Sequence, residues 1–280
     1  MEPIVETREN GVPDGLEQPL NYHRTVTACV YWGPALNCFI MKMGVLLLCT
    51  LLFGGIAHRD SFAQNRMTNS KWIGIAHITK DFSIDRLAAS SWNKASKVAV
   101  TNYWTGKAAP AGRHFSARLL WSNTALYVRF EANQNEPMIV SDKPDLTKKI
   151  RGLWDRDVCE IFIASNKDVR NKYFEFEIAP TGEWIDLGIE VTPSKRETDW
   201  EYESGMTSAA DIGKDRIAMA IKIPWKAFGK TPKAGDVWLG NLFRCVGKDP
   251  TRGYLSWQAT KTKTPSFHVP ETFGEFEFKK

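Results

Sequence analysis

Apolar and polar residues alternate along much of the chain with a period of two. In Leu126-Tyr127-Val128-Arg129-Phe130-Glu131 the alternation puts Leu126, Val128 and Phe130 on one face, the mark of a half-buried strand. Tyr173 to Ile178 repeats it, with Phe174, Phe176 and Ile178 directed inward and Glu175 and Glu177 outward to solvent. Further strand-like runs, rich in aromatic and branched residues, are His114–Trp121, Val158–Ala164, Trp184–Glu190, Arg216–Ile223, Val237–Val246, Tyr254–Gln258 and Glu275–Phe278. Turn chemistry separates them, as at Ser122-Asn123, Pro180-Thr181-Gly182, Lys230 to Gly235 and Asp249-Pro250. The only helix-like piece is one turn at Pro224 to Phe228, opened by proline and stopped by Gly229. Without ten-residue helical periods between strands, parallel βαβ units are excluded. The expected architecture is all-β, a single antiparallel β-sandwich of the jelly-roll or immunoglobulin-like kind, from about residue 70 to 280.

The N-terminal part reads differently. Met41-Lys42-Met43, the apolar run Gly44 to Ala57 and Ser61-Phe62-Ala63 before Gln64 have the three parts of a secretory signal peptide. The run is shorter than the roughly 20 residues that cross a bilayer; a single membrane anchor is the alternative reading. Residues 1–40 have mixed polarity and no period, as expected of an upstream extension rather than a domain. Cleavage after Ala63 would leave residues 64–280 as the mature domain, with 33 basic and 26 acidic residues, a formal +7. The expectation is a secreted or periplasmic protein with no membrane span after signal removal.

Hydrophobic residues make up 43% of the 280-residue chain, enough to fill a core. Of the five cysteines only Cys159 and Cys245 fall in the mature part. Export would permit them to pair, while their apolar surroundings suit free core cysteines. No CxxC or GxSxG motif is present, and His77, His114 and His268 lack zinc-ligand spacing. The basic clusters at Lys148 to Arg151 and Lys226 to Lys233 are interspersed with other residues in loop-like segments, so no nucleic-acid partner is expected. Glu175 and Glu177 lie about 6.6 Å apart on one strand, but they point the same way, whereas glycosidase acids flank a sugar from opposite sides. No catalytic residue is assigned.

The aromatic residues carry the stronger signal. Eleven tryptophans occur in the chain. Aromatic planes stack on the flat C–H faces of sugar rings while polar side chains bind the hydroxyls. Trp92, Trp121, Trp184, Trp225 and Trp238 suit the core; Trp154, ahead of a strand, and Phe267, in Pro265 to Pro270, stand out by their loop settings.

Trp154-Asp155-Arg156-Asp157-Val158-Cys159-Glu160-Ile161-Phe162-Ile163 resembles the W-x-x-D-x-V-E-x-F-I segment of family 9 carbohydrate-binding modules. Ser83-Ile84-Asp85, Trp92 to Ala95, Ala117 to Trp121, Leu126 to Val128, Ile223-Pro224-Trp225, Gly240 to Arg244, Ser256-Trp257 and Pro270 to Phe276 follow in the family's order. The resemblance implies a β-sandwich that clamps a terminal sugar between two aromatic side chains. By position, Trp154 matches one clamp aromatic, Glu160 the hydroxyl-binding acid, and Phe267 the second clamp position, where the family has tryptophan. Glu177 occupies a position where sugar-binding members carry arginine. Arg244 and His268 are added as expected pocket residues. Some members also hold calcium, for which Asp142, Asp155 and Asp157 are oxygen-bearing candidates.

The expected function is therefore an exported, non-catalytic carbohydrate-binding protein serving glycan or polysaccharide catabolism, with a glycan or oligosaccharide ligand and a glycoside hydrolase as a candidate partner. Two other readings remain open at this level. One is a haem-binding sandwich using Met138, Met206, Met219 or His268; the other is an assembly or adhesion module.

Overall fold

The computed structural model describes residues 70–214 and 216–280. The proposed signal peptide at 41–63 and the extension at 1–40 lie outside them. The described chain forms thirteen strands: β1 (Trp72–His77), β2 (Val98–Val100), β3 (Phe115–Trp121), β4 (Ala125–Ala132), β5 (Val158–Ala164), β6 (Lys172–Ile178), β7 (Trp184–Val191), β8 (Arg196–Asp199), β9 (Thr207–Ile212), β10 (Ile217–Pro224), β11 (Val237–Val246), β12 (Gly253–Ser256) and β13 (Gly274–Phe278). Helical structure among the described residues is confined to short 3₁₀ turns. The fold is all-β, as the alternation predicts.

Strand order runs β8-β7-β6-β5-β11-β13-β1-β3-β4-β10-β9, with β12 added to β11 and β2 to β3. β1 joins the two halves of this curled sheet. Trp72 to Ile75 pair with β13, and Ala76 and His77 pair with β3, both in parallel. The remaining ladders are antiparallel. The 3₁₀ turn Trp225–Phe228 ends at Gly229, whose φ of 65° suits the residue without a Cβ.

Between the two halves lies the main core, built from the predicted inward residues. Leu126, Val128 and Phe130 of β4 meet Ile161, Ile163, Phe176 and Ile178, together with Trp121, Trp225 and Trp238. Gly240 sits where this packing is tightest: a Cβ there would lie 2.3 Å from both the Phe162 carbonyl oxygen and the Phe276 ring. Trp92 belongs to a smaller cluster with Ile78, Ile84 and Tyr127 on the far side of the β3-β4-β10 half.

The expectation that Glu175 and Glu177 face solvent is corrected. A further apolar layer of Phe162, Tyr173, Leu187, Ile189, Phe243 and Phe267 covers the other face of the β7-β6-β5-β11 half. Both faces of this half are covered, so every residue of β5 is buried, and Glu175 and Glu177 with them.

Cys159 and Cys245 are free thiols. They sit on adjacent strands but belong to opposite faces, Cys159 in the inner core and Cys245 in the outer layer, which keeps them from pairing.

Arg244 is also moved from its expected place. Cys245 faces the outer layer, so Arg244 points inward, where its guanidinium donates to the carbonyl oxygens of Arg113 (2.7 Å), His114 (3.2 Å) and Asn133 (2.7 Å) and to Gln134 Oε1 (2.5 Å). It ties the start of β3 and the end of β4 to β11. Arg244→Met should lower the unfolding free energy by about 3 kcal/mol, because buried carbonyls lose their donor; denaturant titration measures it.

Candidate functional site

The layer over β5, β6 and β7 is incomplete, and its gap is a cavity of about 280 Å³. Strand register builds the floor. Glu160 of β5 lies directly opposite Glu177 of β6, and Glu175 lies two residues along the same face, opposite Phe162. Leu187 and Ile189 of β7, Arg196 and Thr198 of β8, and Cys245 of β11 continue the lining.

Loops supply the walls. Gly152, with φ of 79°, turns the chain into the 3₁₀ turn Leu153–Asp155, which presents Trp154. Arg252 fixes that turn by donating to the carbonyl oxygens of Trp154 (2.5 Å), Arg156 (2.8 Å) and Gly247 (2.6 Å). Trp200 lies beside Trp154, with ring centroids 6.2 Å apart at 45°. Across the cavity lining are Tyr254, Phe267 and His268. One face of Phe267 is covered by Phe243, stacked at 4.1 Å and 12°.

The floor electrostatics are unusual. Glu160, Glu175 and Glu177 are buried, and each can place one carboxylate oxygen within 4.8 Å of the others. Burial, then mutual repulsion for Glu160 and Glu177, pushes these carboxyls above the ordinary carboxylate range. Cys245 Sγ donates to Glu160 Oε1 at 3.5 Å, while Glu175 Oε2 and both oxygens of Glu177 have no partner outside the cluster, leaving Glu175 and Glu177 to bond each other when one is protonated. His268 Nδ1 pairs with the Tyr173 hydroxyl at 2.8 Å and lies 3.9 Å from Glu175 Oε2. Burial, aided by Arg196, lowers its pKa to about 3, so the imidazole is neutral.

Five of the six expected sugar-contact residues, Trp154, Glu160, Glu177, Phe267 and His268, thus line one cavity. Arg244 does not. The three aspartates proposed for calcium are not brought together. Asp155 lines the cavity, and Asp142 is exposed. Asp157 is buried and fully engaged, accepting from the Gly247 N–H (2.7 Å), the Ile139 N–H (3.1 Å) and Gln134 Nε2 (3.0 Å). Nor do the haem candidates converge: Met206 and Met219 lie in the inner core with Met138 packed against it, while His268 lines the outer cavity. Sequence reasoning missed Glu175, Trp200, Arg252 and Tyr254 as lining residues. Only Glu175 carried a signal, since alternation places it beside Glu177.

Comparison with known proteins fixes the family. The model described as "Carbohydrate family 9 binding domain-like" matches residues 84–280. The chain belongs to that family. A crystal structure of a putative carbohydrate-binding protein from Bacteroides uniformis aligns with a TM-score of 0.60 and 18% identity, covering 74% of this chain and 99% of that one. A family 9 carbohydrate-binding module from Caldicellulosiruptor kristjanssonii, in complex with cellotriose, aligns with a TM-score of 0.53 and 16% identity over 74% of this chain and 93% of that one. The glucose complex of a family 9 module from the same organism gives 0.51 and 16%, over 74% and 95%. No curated protein matches the chain. These likenesses establish a family 9 fold. Among the described residues no helix is long and apolar enough to cross a membrane.

The neutral His268 makes a pH prediction for this family 9 domain. Its folded pKa is depressed from 6.5 to about 3, so between these values the unfolded chain binds the extra proton and stability falls as pH drops. Relative to His268→Gln, the wild-type unfolding free energy should decline across this window with a slope of up to about 1.4 kcal/mol per pH unit. Parallel denaturant titrations at pH 7, 5 and 4 measure the difference.

Proposed function

We propose that this chain is an exported, non-catalytic carbohydrate-binding protein whose cavity takes the terminal ring of a glycan. The observation that supports it most is the convergence of Trp154, Phe267, Glu160, Glu177 and His268 on one cavity within a family 9 fold. The aromatic walls stack against C–H faces, and the polar floor binds hydroxyls. A volume near 280 Å³ stands at the small end of ligand pockets, which suits a chain end rather than a long stretch of polymer. The structural neighbours in complex with cellotriose and glucose make β-glucan fragments the first ligands to try.

Export to the periplasm or medium is supported by the signal-like segment at 41–63. A binding domain in that compartment would serve polysaccharide breakdown by holding substrate for a separate glycoside hydrolase.

Titration of the full chain with glucose, cellobiose and cellotriose, followed by intrinsic tryptophan fluorescence and calorimetry, should give saturable binding at about 10 μM to 1 mM. Trp154→Ala should weaken it at least about tenfold, or about 1.4 kcal/mol, with the thermal transition retained. A panel of glycans that gives no saturable response, or an unchanged affinity in Trp154→Ala, would overturn the reading.

A further inference from the structure

We propose that Glu160, Glu175 and Glu177 form a binding site for a divalent cation of the calcium type at the floor of the cavity. Among the described residues, the other buried charged groups have their partners built in. Arg244 has four acceptors, Asp157 three donors, and Glu183 accepts from Arg156 (3.1 Å) and Thr181 (2.9 Å). The three floor glutamates break this pattern. Glu177 is fully buried, and neither its oxygens nor Glu175 Oε2 has a hydrogen-bond partner outside the cluster; only a proton shared between Glu175 and Glu177 can join them.

The cationic groups that line the same cavity do not supply one. The Arg252 guanidinium is committed to three backbone carbonyls. Arg196, on the exposed edge strand β8, lines the cavity and its charge favours an ionised Glu175, but it forms no ion pair with the floor. The His268 ring nitrogen 3.9 Å from Glu175 is instead bonded to the Tyr173 hydroxyl. Carboxyls removed from water stay protonated unless a counter-charge joins them, and a bound cation would take the place of those protons.

The geometry selects its kind. Three carboxylate oxygens within 4.8 Å of one another need only small side-chain shifts to touch one ion together at calcium–oxygen distances of about 2.3–2.6 Å. The three side chains hold six oxygens, a hard donor set that suits calcium's six to eight ligands and flexible geometry. Magnesium, which keeps most of its water, suits these buried oxygens poorly. Cys245 is not among the residues whose ligand atoms converge, so the set is all oxygen and lacks the soft or imidazole ligands that favour zinc. The ammonium of an amino sugar is the rival cation. It would have to bring its ring down to oxygens that are buried, whereas an ion needs only that the side chains close on it.

This site is separate from the aspartates discussed above, and it does not require that the cavity bind sugar. Trp154 and Trp200 line the same cavity, so tryptophan excitation can sensitise a terbium ion held at its floor. The experiment titrates the full, metal-stripped chain with terbium, reads sensitised emission, chases with calcium, and records thermal unfolding with and without calcium. The expected result is saturable emission displaced by calcium, with a rise in melting temperature of about 5 °C or more at a hundredfold excess over Kd. Glu177→Gln, nearly isosteric, should weaken terbium and calcium at least about tenfold; in chelator it should melt at or above wild type, because it removes repulsion among the three acids. Glu201→Gln, an exposed change, should leave both signals unchanged. Absence of saturable emission and of a calcium-dependent shift overturns the proposal. So does binding that Glu177→Gln leaves intact, which places the ion elsewhere, or stabilisation by glucosamine and not calcium, which makes the floor an ammonium site. Sugar titration of the same samples is scored separately, so failure of the ion site and failure of the glycan reading are distinguishable.

Discussion

A sheet covered on both faces leaves no solvated side for a polar residue. That constraint governs the β7-β6-β5-β11 half of this protein. Its inner face packs on the main core, and its outer face lies under Phe162, Tyr173, Phe243 and Phe267. A charged group there must be satisfied by its neighbours or serve as the contact surface for something else, because burial without a partner costs several kcal/mol. The fold resolves most such groups internally and leaves one cluster open.

The satisfied groups explain how the open cluster gets its shape. Asp157 ties the N-terminal end of β5 to Gly247 after β11, and Arg252 ties Gly247 to the carbonyls of Trp154 and Arg156. One connected set of charge-assisted bonds thus holds the Trp154 turn over the floor made by Glu160 and Glu177. On the inner face of β7, Lys149 pairs with Asp186 at 2.7 Å, whose other oxygen accepts from the Ser204 amide and hydroxyl. The Trp154 turn is therefore positioned by buried electrostatics in the layer beneath it as well as by packing on the outer cluster.

The long strands were legible because their inward residues repeat with period two and tight turns separate them. β8 and β9 were not, because edge strands carry mixed, largely exposed residues such as Arg196 and Glu197. β1 was missed for a topological reason: its parallel partners, β13 and β3, lie far away in sequence, and no turn signal links them. At the site, Trp154 and Phe267 stood out by their loop settings, whereas Glu160 and Glu177 were legible as site residues only through family resemblance, since alternation alone sent both β6 glutamates to solvent. Arg244 shows the opposite failure. Strand parity with Cys245 decides which face it takes, and a motif match carries no parity. Trp200 follows a polar edge strand and gave no local signal at all.

The two aromatic walls are unequal in what they can offer a ring. Phe267 has one face taken by Phe243 at 4.1 Å, so it is anchored in the outer layer and presents the remainder of its surface. Trp154 and Trp200 meet at 45° and are only half-buried, with Arg151 lying 5.0 Å over the Trp200 ring. Stacking is tolerant of which sugar is stacked, because every pyranose has a C–H face. Discrimination has to come from the groups that read polar substituents, and here those are three carboxyls with no built-in cation. The state of that floor, whether protonated, ionised or holding a metal, decides whether it donates or accepts hydrogen bonds. On the proposed glycan reading, selectivity is set at the floor of the cavity, while its walls set only the shape of what can enter.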